Sequence, residues 1–239
     1  MRLTEFELKH RFSKSKSRRG RKLATRLGEG PNDPHIFKAI FLAGGPGSGK
    51  TFVQKKLLSG TGLKPVNSDD MYEYLMKAQD LPLDPDTIAS PQGQEIRDRA
   101  KGLTKRRSAN YIDGRLGLII DGTGKDYDKM IRQAAHLQEL GYETSMVFVN
   151  TTLQTALERN RKRARSVPPE IAKQGWKDVQ KNLPRFQRYF GKQFFVADNN
   201  LGDDLTPITK AVRRAILKKV DNPIASAWIA NELKKKQMS

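Results

Sequence analysis

The eight residues Gly44-Gly45-Pro46-Gly47-Ser48-Gly49-Lys50-Thr51 constrain this chain more than any other stretch. They satisfy the Walker A pattern G-x-x-x-x-G-K-[ST] at every fixed position. An apolar, strand-like segment, Ile36 to Ala43, leads into them, and a helix-like segment, Phe52 to Leu58, leads out with Val53, Leu57 and Leu58 on one side. Strand, glycine loop and helix in that order favour a phosphate cradle over a flexible glycine turn. Glycines let the backbone curl until several N–H groups face one anion, and the helix that follows adds its positive end. All eight residues are therefore expected to contact a nucleoside triphosphate. Lys50 would meet the β- and γ-phosphates, and the Thr51 hydroxyl a magnesium ion.

The 239 residues suffice for one α/β core with appendages. With no cysteine, disulfides and thiolate metal sites are excluded. No apolar run spans a bilayer and no signal-peptide core is present, so the expectation is a soluble, cytoplasmic protein without membrane contact. The formal net charge is +19, and nine Lys or Arg with no acid fall between Lys9 and Arg26. Subtracting those nine still leaves +10 for the rest of the chain. Such a balance favours polyanionic partners, nucleic acid among them, with the basic arm as the contact; the alternative is a solvated tail.

Residues 1–34 are polar and basic and close on Gly28-Glu29-Gly30-Pro31-Asn32-Asp33-Pro34, an arm and linker. Residues 35–220 alternate strand and helix patterns without an internal repeat. Val66 to Asp70 reads as a short second strand beside the first, ending in two carboxylates. A helix follows from Met71 to Gln79, and the proline-rich stretch from Leu81 to Pro91 reads as a loop. A charged helix runs from Gln92 to Tyr111. The apolar run from Leu116 to Ile120 is a strand buried on both faces, ending at Asp121. A helix from Asp126 stops at Gly141, a strand covers Thr144 to Val149, and Thr152 caps the next helix. Pro168-Pro169 breaks that helix, another runs from Glu170 towards Tyr189, and Phe194 to Ala197 is the last strand. An amphipathic helix through Ile208, Val212 and Ile216 precedes a C-terminal helical tail, 221–239. This is a doubly wound, parallel, five-stranded α/β sheet of the P-loop NTPase kinase type, with ligands at the carboxyl ends of the strands.

Three further groups fall at those ends. Asp69 or Asp70 can accept a proton from an attacking hydroxyl or hold a magnesium-bound water; Asp69 is assigned to catalysis and Asp70 to capping. Asp121 is placed to coordinate magnesium or to hydrogen-bond substrate, with Gly122, Thr123 and Gly124 keeping the backbone open. The arginine-rich segment Arg159 to Arg165 is either a solvated helix face or a lid that neutralises transferred phosphate. Like charges at i, i+4 on a bare face would only cost stability, so the lid, at about 155–170, is the reading taken.

GGPGSGKT, an Asp after the second strand, LIIDGTG, GYET and the late KNLP together resemble the zeta-toxin family of P-loop kinases. The segments VNSDD and RNRKRARSVP are also similar to the kinase domain of bacteriophage polynucleotide kinases. The resemblance spans about 36–200. The zeta-toxin resemblance implies Mg²⁺- and ATP-dependent phosphorylation of a hydroxyl on a UDP-amino sugar, and raises an antitoxin as a candidate partner. It implies Lys50 as the phosphate-binding lysine and Asp69 as general base. Arg159 and Arg165 would be lid arginines, with Arg163 in that role under the polynucleotide-kinase alignment. Asp121, Thr123 and Lys125 would be substrate contacts. Position 121 is Asp where the toxins usually carry Glu, and position 125 is Lys rather than Arg, without the bidentate fork. Ser68 and Tyr72 stand where the polynucleotide kinases place arginines. The functional expectation is a kinase acting on a nucleotide-linked small molecule. The alternatives are a 5′-hydroxyl polynucleotide kinase and a nucleic-acid-binding P-loop ATPase.

Overall fold

The computed structural model describes residues 30–31, 33–162 and 167–238. Five strands form one parallel sheet: β1 (Lys38–Ala43), β2 (Lys64–Val66), β3 (Leu118–Asp121), β4 (Glu143–Asn150) and β5 (Phe194–Asp198), in the order β2-β3-β1-β4-β5. Helices α1 (Lys50–Leu58), α2 (Ser68–Lys77), α3 (Pro85–Ala89), α4 (Pro91–Asp113) and α5 (Tyr127–Glu139) connect the first four strands. Then come α6 (Leu153–Arg161), α7 (Pro169–Phe190), α8 (Thr206–Leu217) and α9 (Pro223–Met238). Among the described residues no helix is long and apolar enough to cross a membrane.

Alternation along β1 explains why its sequence is apolar throughout. Phe37, Ala39, Phe41 and Ala43 join Met130, Leu137, Phe186 and Phe190 of α5 and α7 on one face. Ile40 and Leu42 join Val53 and Leu57 of α1 and Val212 and Ile216 of α8 on the other. Both faces are covered, so no polar side is needed. A third, smaller core unites α2 and α4 through Met71, Tyr72, Met76, Ile96 and Ala100. Two boundary signals act as expected. The Thr152 hydroxyl accepts the Thr155 N–H at 3.2 Å. After α5, Tyr142 N–H reaches Leu137 O and Gly141 N–H reaches Gln138 O, the reciprocal pair that a left-handed Gly141 (φ 94°) allows.

Three sequence expectations are corrected. β2 does not lie beside β1: β3 pairs with both and separates them, with Leu42 opposite Asp121 and Val66 opposite Ile120. The doubly buried run belongs in the sheet interior, and the three-residue β2, partly exposed along its length, takes the edge. Nor does β2 extend to Asp70. Asn67 turns the chain by accepting the Asp69 N–H at 2.8 Å, so Asp69 and Asp70 occupy the first turn of a helix, where negative charge suits the dipole. The Leu81–Pro91 stretch is not all loop. Asp84 caps Thr87 N–H at 2.9 Å and Pro85 occupies the first helical position, which starts α3. Ser90 then caps α4 ahead of Pro91 in the same way.

Candidate active site

The phosphate loop fills the gap between the carboxyl end of β1 and the start of α1. Gly47 and Gly49 both take left-handed φ, 77° and 81°. Space is as restrictive as conformation: a Cβ at Gly47 would stand 2.1 Å from the Ala156 carbonyl, and one at Gly49 2.4 Å from Asn199 Nδ2. The loop is thus seated between α6 and the segment after β5, whose Asn199 donates to Ser48 O at 2.7 Å. Lys50 Nζ donates to Gly44 O at 3.1 Å, across the mouth of the loop. The Ser48 hydroxyl is buried with no hydrogen-bond partner among the described residues. Thr51, in the first turn of α1, is exposed.

A cleft of about 800 Å³ opens beside the loop. Lys50, Asn67, Asp69, Asp121 and Thr123 line its inner end, and Lys101, Thr104, Lys105, Lys129 and His136 line it further along α4 and α5. The sheet order explains the convergence. Asp121 stands opposite Leu42, two residues before the loop begins, and the edge position of β2 brings the start of α2 to the same end. Asn67 ties the two acidic groups together. Its Nδ2 donates to Asp121 Oδ2 and to Asp70 Oδ1, each at 3.2 Å, while its Oδ1 caps Asp69. Asp70 therefore does not cap the helix; Asn67 does.

Burial pushes the Asp121 carboxyl above the ordinary aspartate value. Lys50 pulls the other way, and Asp70 and Asp69 push it further. Its Oδ1 is buried without a partner. A hard carboxylate oxygen whose ionised form is under-stabilised fits a divalent cation. Among the described residues no cluster of three or more His, Cys, Asp or Glu surrounds it. Magnesium usually keeps several waters and is held by one or two carboxylates together with substrate phosphates.

Other expected residues lie differently. Arg159, in the last turn of α6, donates from Nη1 to Asn199 O at 2.6 Å, so it flanks the phosphate loop rather than the cleft. Lys125 does not line the cleft; its Nζ pairs with Asp178 of α7 at 3.2 Å. Arg163 and Arg165 lie outside the described residues. Asn67 and Asn199 escaped the sequence reading. Asn67 had a signal, an amide directly before Ser-Asp-Asp at a helix start. Asn199 had none, because its partner is 151 residues away.

A parallel sheet in this order, with a Walker A loop after its central strand and a carboxylate on the neighbouring strand, is a P-loop kinase fold. The family model described as Zeta toxin matches residues 28–201, well over half of the chain, and the chain belongs to that family of P-loop kinase-like phosphotransferases. Among solved structures it is similar to the PezAT toxin–antitoxin system of Streptococcus pneumoniae. The TM-score is 0.54 at 16% identity, covering 90% of this chain and 95% of that one. The AvrRxo1-ORF1:AvrRxo1-ORF2 complex with ATP gives 0.55 at 15% identity, covering 89% and 85%. The same complex with sulphate ions gives 0.55 at 14%, covering 90% and 89%. Among curated proteins the sequence comparison finds no match.

Proposed function

We propose that this chain transfers the γ-phosphate of ATP to a hydroxyl of a nucleotide-linked small molecule such as a UDP-amino sugar. One observation carries the reading: Lys50, Asp69 and Asp121 converge at the inner end of a polar cleft beside the phosphate loop. Asp69 would take the proton of the acceptor hydroxyl as its oxygen bonds to the γ-phosphorus. The bond from that phosphorus to the β,γ-bridging oxygen breaks, and ADP leaves. Lys50 and Arg159, beside the loop, offset the charge that develops on the transferred group. Magnesium, held by Thr51 and Asp121, would supply further neutralisation of the phosphates. Thr123 and the lysines along α4 and α5 suit an acceptor that bears anionic groups. A protein partner of the antitoxin kind is proposed on the strength of the similarity to a toxin–antitoxin system.

The test uses γ-labelled ATP and magnesium with UDP-N-acetylglucosamine in one reaction and a 5′-hydroxyl oligonucleotide in another. Label is expected in the sugar nucleotide. Label in the oligonucleotide alone would replace this reading with a polynucleotide kinase.

A further inference from the structure

Helix α7 touches both halves of the site. On the donor side it backs the phosphate loop: a Cβ at Gly45 would lie 3.2 Å from Trp176 Cα, and one at Gly175 3.2 Å from the Pro46 ring. The Trp176 indole N–H donates to Thr151 O at 2.9 Å, anchoring the helix where β4 ends. Further along the helix stands Asn182, 6% exposed. Its Nδ2 donates to two consecutive carbonyls, Gly124 O at 3.0 Å and Lys125 O at 2.9 Å, while its Oδ1 accepts from Arg185 Nη1 at 3.3 Å.

Those two carbonyls belong to the loop that leaves β3 at Asp121 and presents Thr123 to the cleft. The same loop accepts the Gly44 N–H on Thr123 O at 3.0 Å, the point where the phosphate loop begins. A buried carboxamide is a poor choice for packing alone, because an apolar side chain would fill the space without desolvating an amide. Here both amide hydrogens are spent on one loop. Other ties of this segment hold its start, Gly122 N–H to Leu42 O and Gly44 N–H to Thr123 O, and the exposed Lys125 side chain. Asn182 holds the two carbonyls at the left-handed turn of Gly124 (φ 82°).

We propose that Asn182 is a positioning residue for the acceptor. It fixes the 122–125 loop and, through α7, sets that loop's distance from the phosphate loop. The inference rests on reading the cleft as the acceptor site, and its test separates the two claims.

Asn182→Asp is nearly isosteric but cannot donate, and Asn182→Ala removes the amide. Hydrogen–deuterium exchange across 122–126 should accelerate about tenfold or more in both, as loss of two hydrogen bonds implies. With UDP-N-acetylglucosamine as probe, kcat/KM should fall roughly 10–100-fold, with a raised acceptor KM, while calorimetric ATP affinity stays within about twofold. Gln180→Ala, which removes the bond from the same helix to Asn150 Oδ1 (2.8 Å), should leave both readouts unchanged. Should the buried variants not fold, Asp178→Asn loosens the exposed Lys125 tether of the same loop and should move exchange in the same direction, by less. Unchanged exchange in the folded variants, or ATP affinity falling in step with acceptor KM, overturns the proposal. If the wild type does not phosphorylate the sugar nucleotide, that choice of acceptor fails, and the exchange result still decides whether Asn182 holds the loop.

Discussion

Asp69 and Asp121 are neighbours in the cleft with different surroundings, and their substitutions should differ accordingly. Asp69 is exposed, open to an incoming hydroxyl. Asp69→Asn should retain ATP affinity and lower phosphoryl transfer by roughly 10²–10⁴-fold, the usual worth of general-base help. Single-turnover rates at saturating ATP measure this, and near-normal rates would remove Asp69 from the role. Asn67→Ala removes a cap and the amide that joins Asp70 to Asp121, so about 1 kcal/mol of stability and a measurable part of the turnover should go together. Chemical denaturation and kcat, recorded on the same preparation, check the pair. Tyr142 supplies a pH prediction remote from the chemistry. Burial, opposed by Arg115 and aided by Asp113, pushes its phenol up to about 12, and its hydroxyl donates to Leu116 O at 3.1 Å. The raised value means that the unfolded chain gives up this proton first. The contribution is complete below pH 10 and disappears as pH climbs from 10 through about 12. Tyr142→Phe should therefore cost about 1 kcal/mol at pH 7, where only the hydrogen bond is lost, and should show a shallower decline in urea midpoint above pH 10.

The elements divide into those that build the reacting end of the sheet and those that brace the other. Helix α9 braces. Trp228 meets Phe37 edge-on at 5.5 Å and 76°, and Ala225 is fully buried. Phe37 precedes the amino end of β1, whereas the cleft opens at the carboxyl ends. Trp228→Ala should cost roughly 2–4 kcal/mol through the cavity it leaves. Measured at a temperature where the variant stays folded, kcat should be unaltered, and a parallel loss of turnover would mean that α9 reaches the site. Sequence legibility follows the same division. The apolar runs of β1, β3 and β4, the Thr152 cap and the Gly141 terminus are local signals, and each forms where its residues indicate. The insertion of β3 between β1 and β2 is a pairing between distant segments, which no local pattern encodes. The end of β2 was misplaced because Val66-Asn67-Ser68 reads as extended until the Asn67 side chain is recognised as a cap. At the site, the phosphate loop and Asp121 were legible from their position after strands. Asn182 was visible only as part of a family resemblance, since the carbonyls it holds lie 57 and 58 residues away.

The whole molecule carries its charge in two places with separable effects. The cleft is lined by Asp69, Asp121 and Asp126 together with Lys50, Lys101, Lys105 and Lys129, a mixture that would suit an acceptor bearing both a hydroxyl and anionic groups. The nine basic residues between Lys9 and Arg26 lie outside the described residues and, if they contact a polyanion, would add a second, sequence-independent attraction. Screening sets in over about 8 Å at physiological ionic strength, so both attractions weaken with salt. They differ in steepness: each phosphate neutralised on a nucleic acid adds about 0.7–0.9 to the slope of log affinity against log salt. A small acceptor can neutralise only the few phosphates it carries. If the arm contacts nucleic acid, deleting residues 1–29 should flatten the salt slope of oligonucleotide binding by several units. It should leave kcat/KM for UDP-N-acetylglucosamine, and the salt dependence of that constant, within about threefold, because the lysines that line the cleft remain. Filter binding and initial rates across 50–200 mM NaCl, run on both proteins, make the comparison. Equal binding slopes would assign the nucleic-acid attraction to the folded domain. A collapse of sugar-nucleotide turnover in the truncated protein would place the arm in the reaction itself.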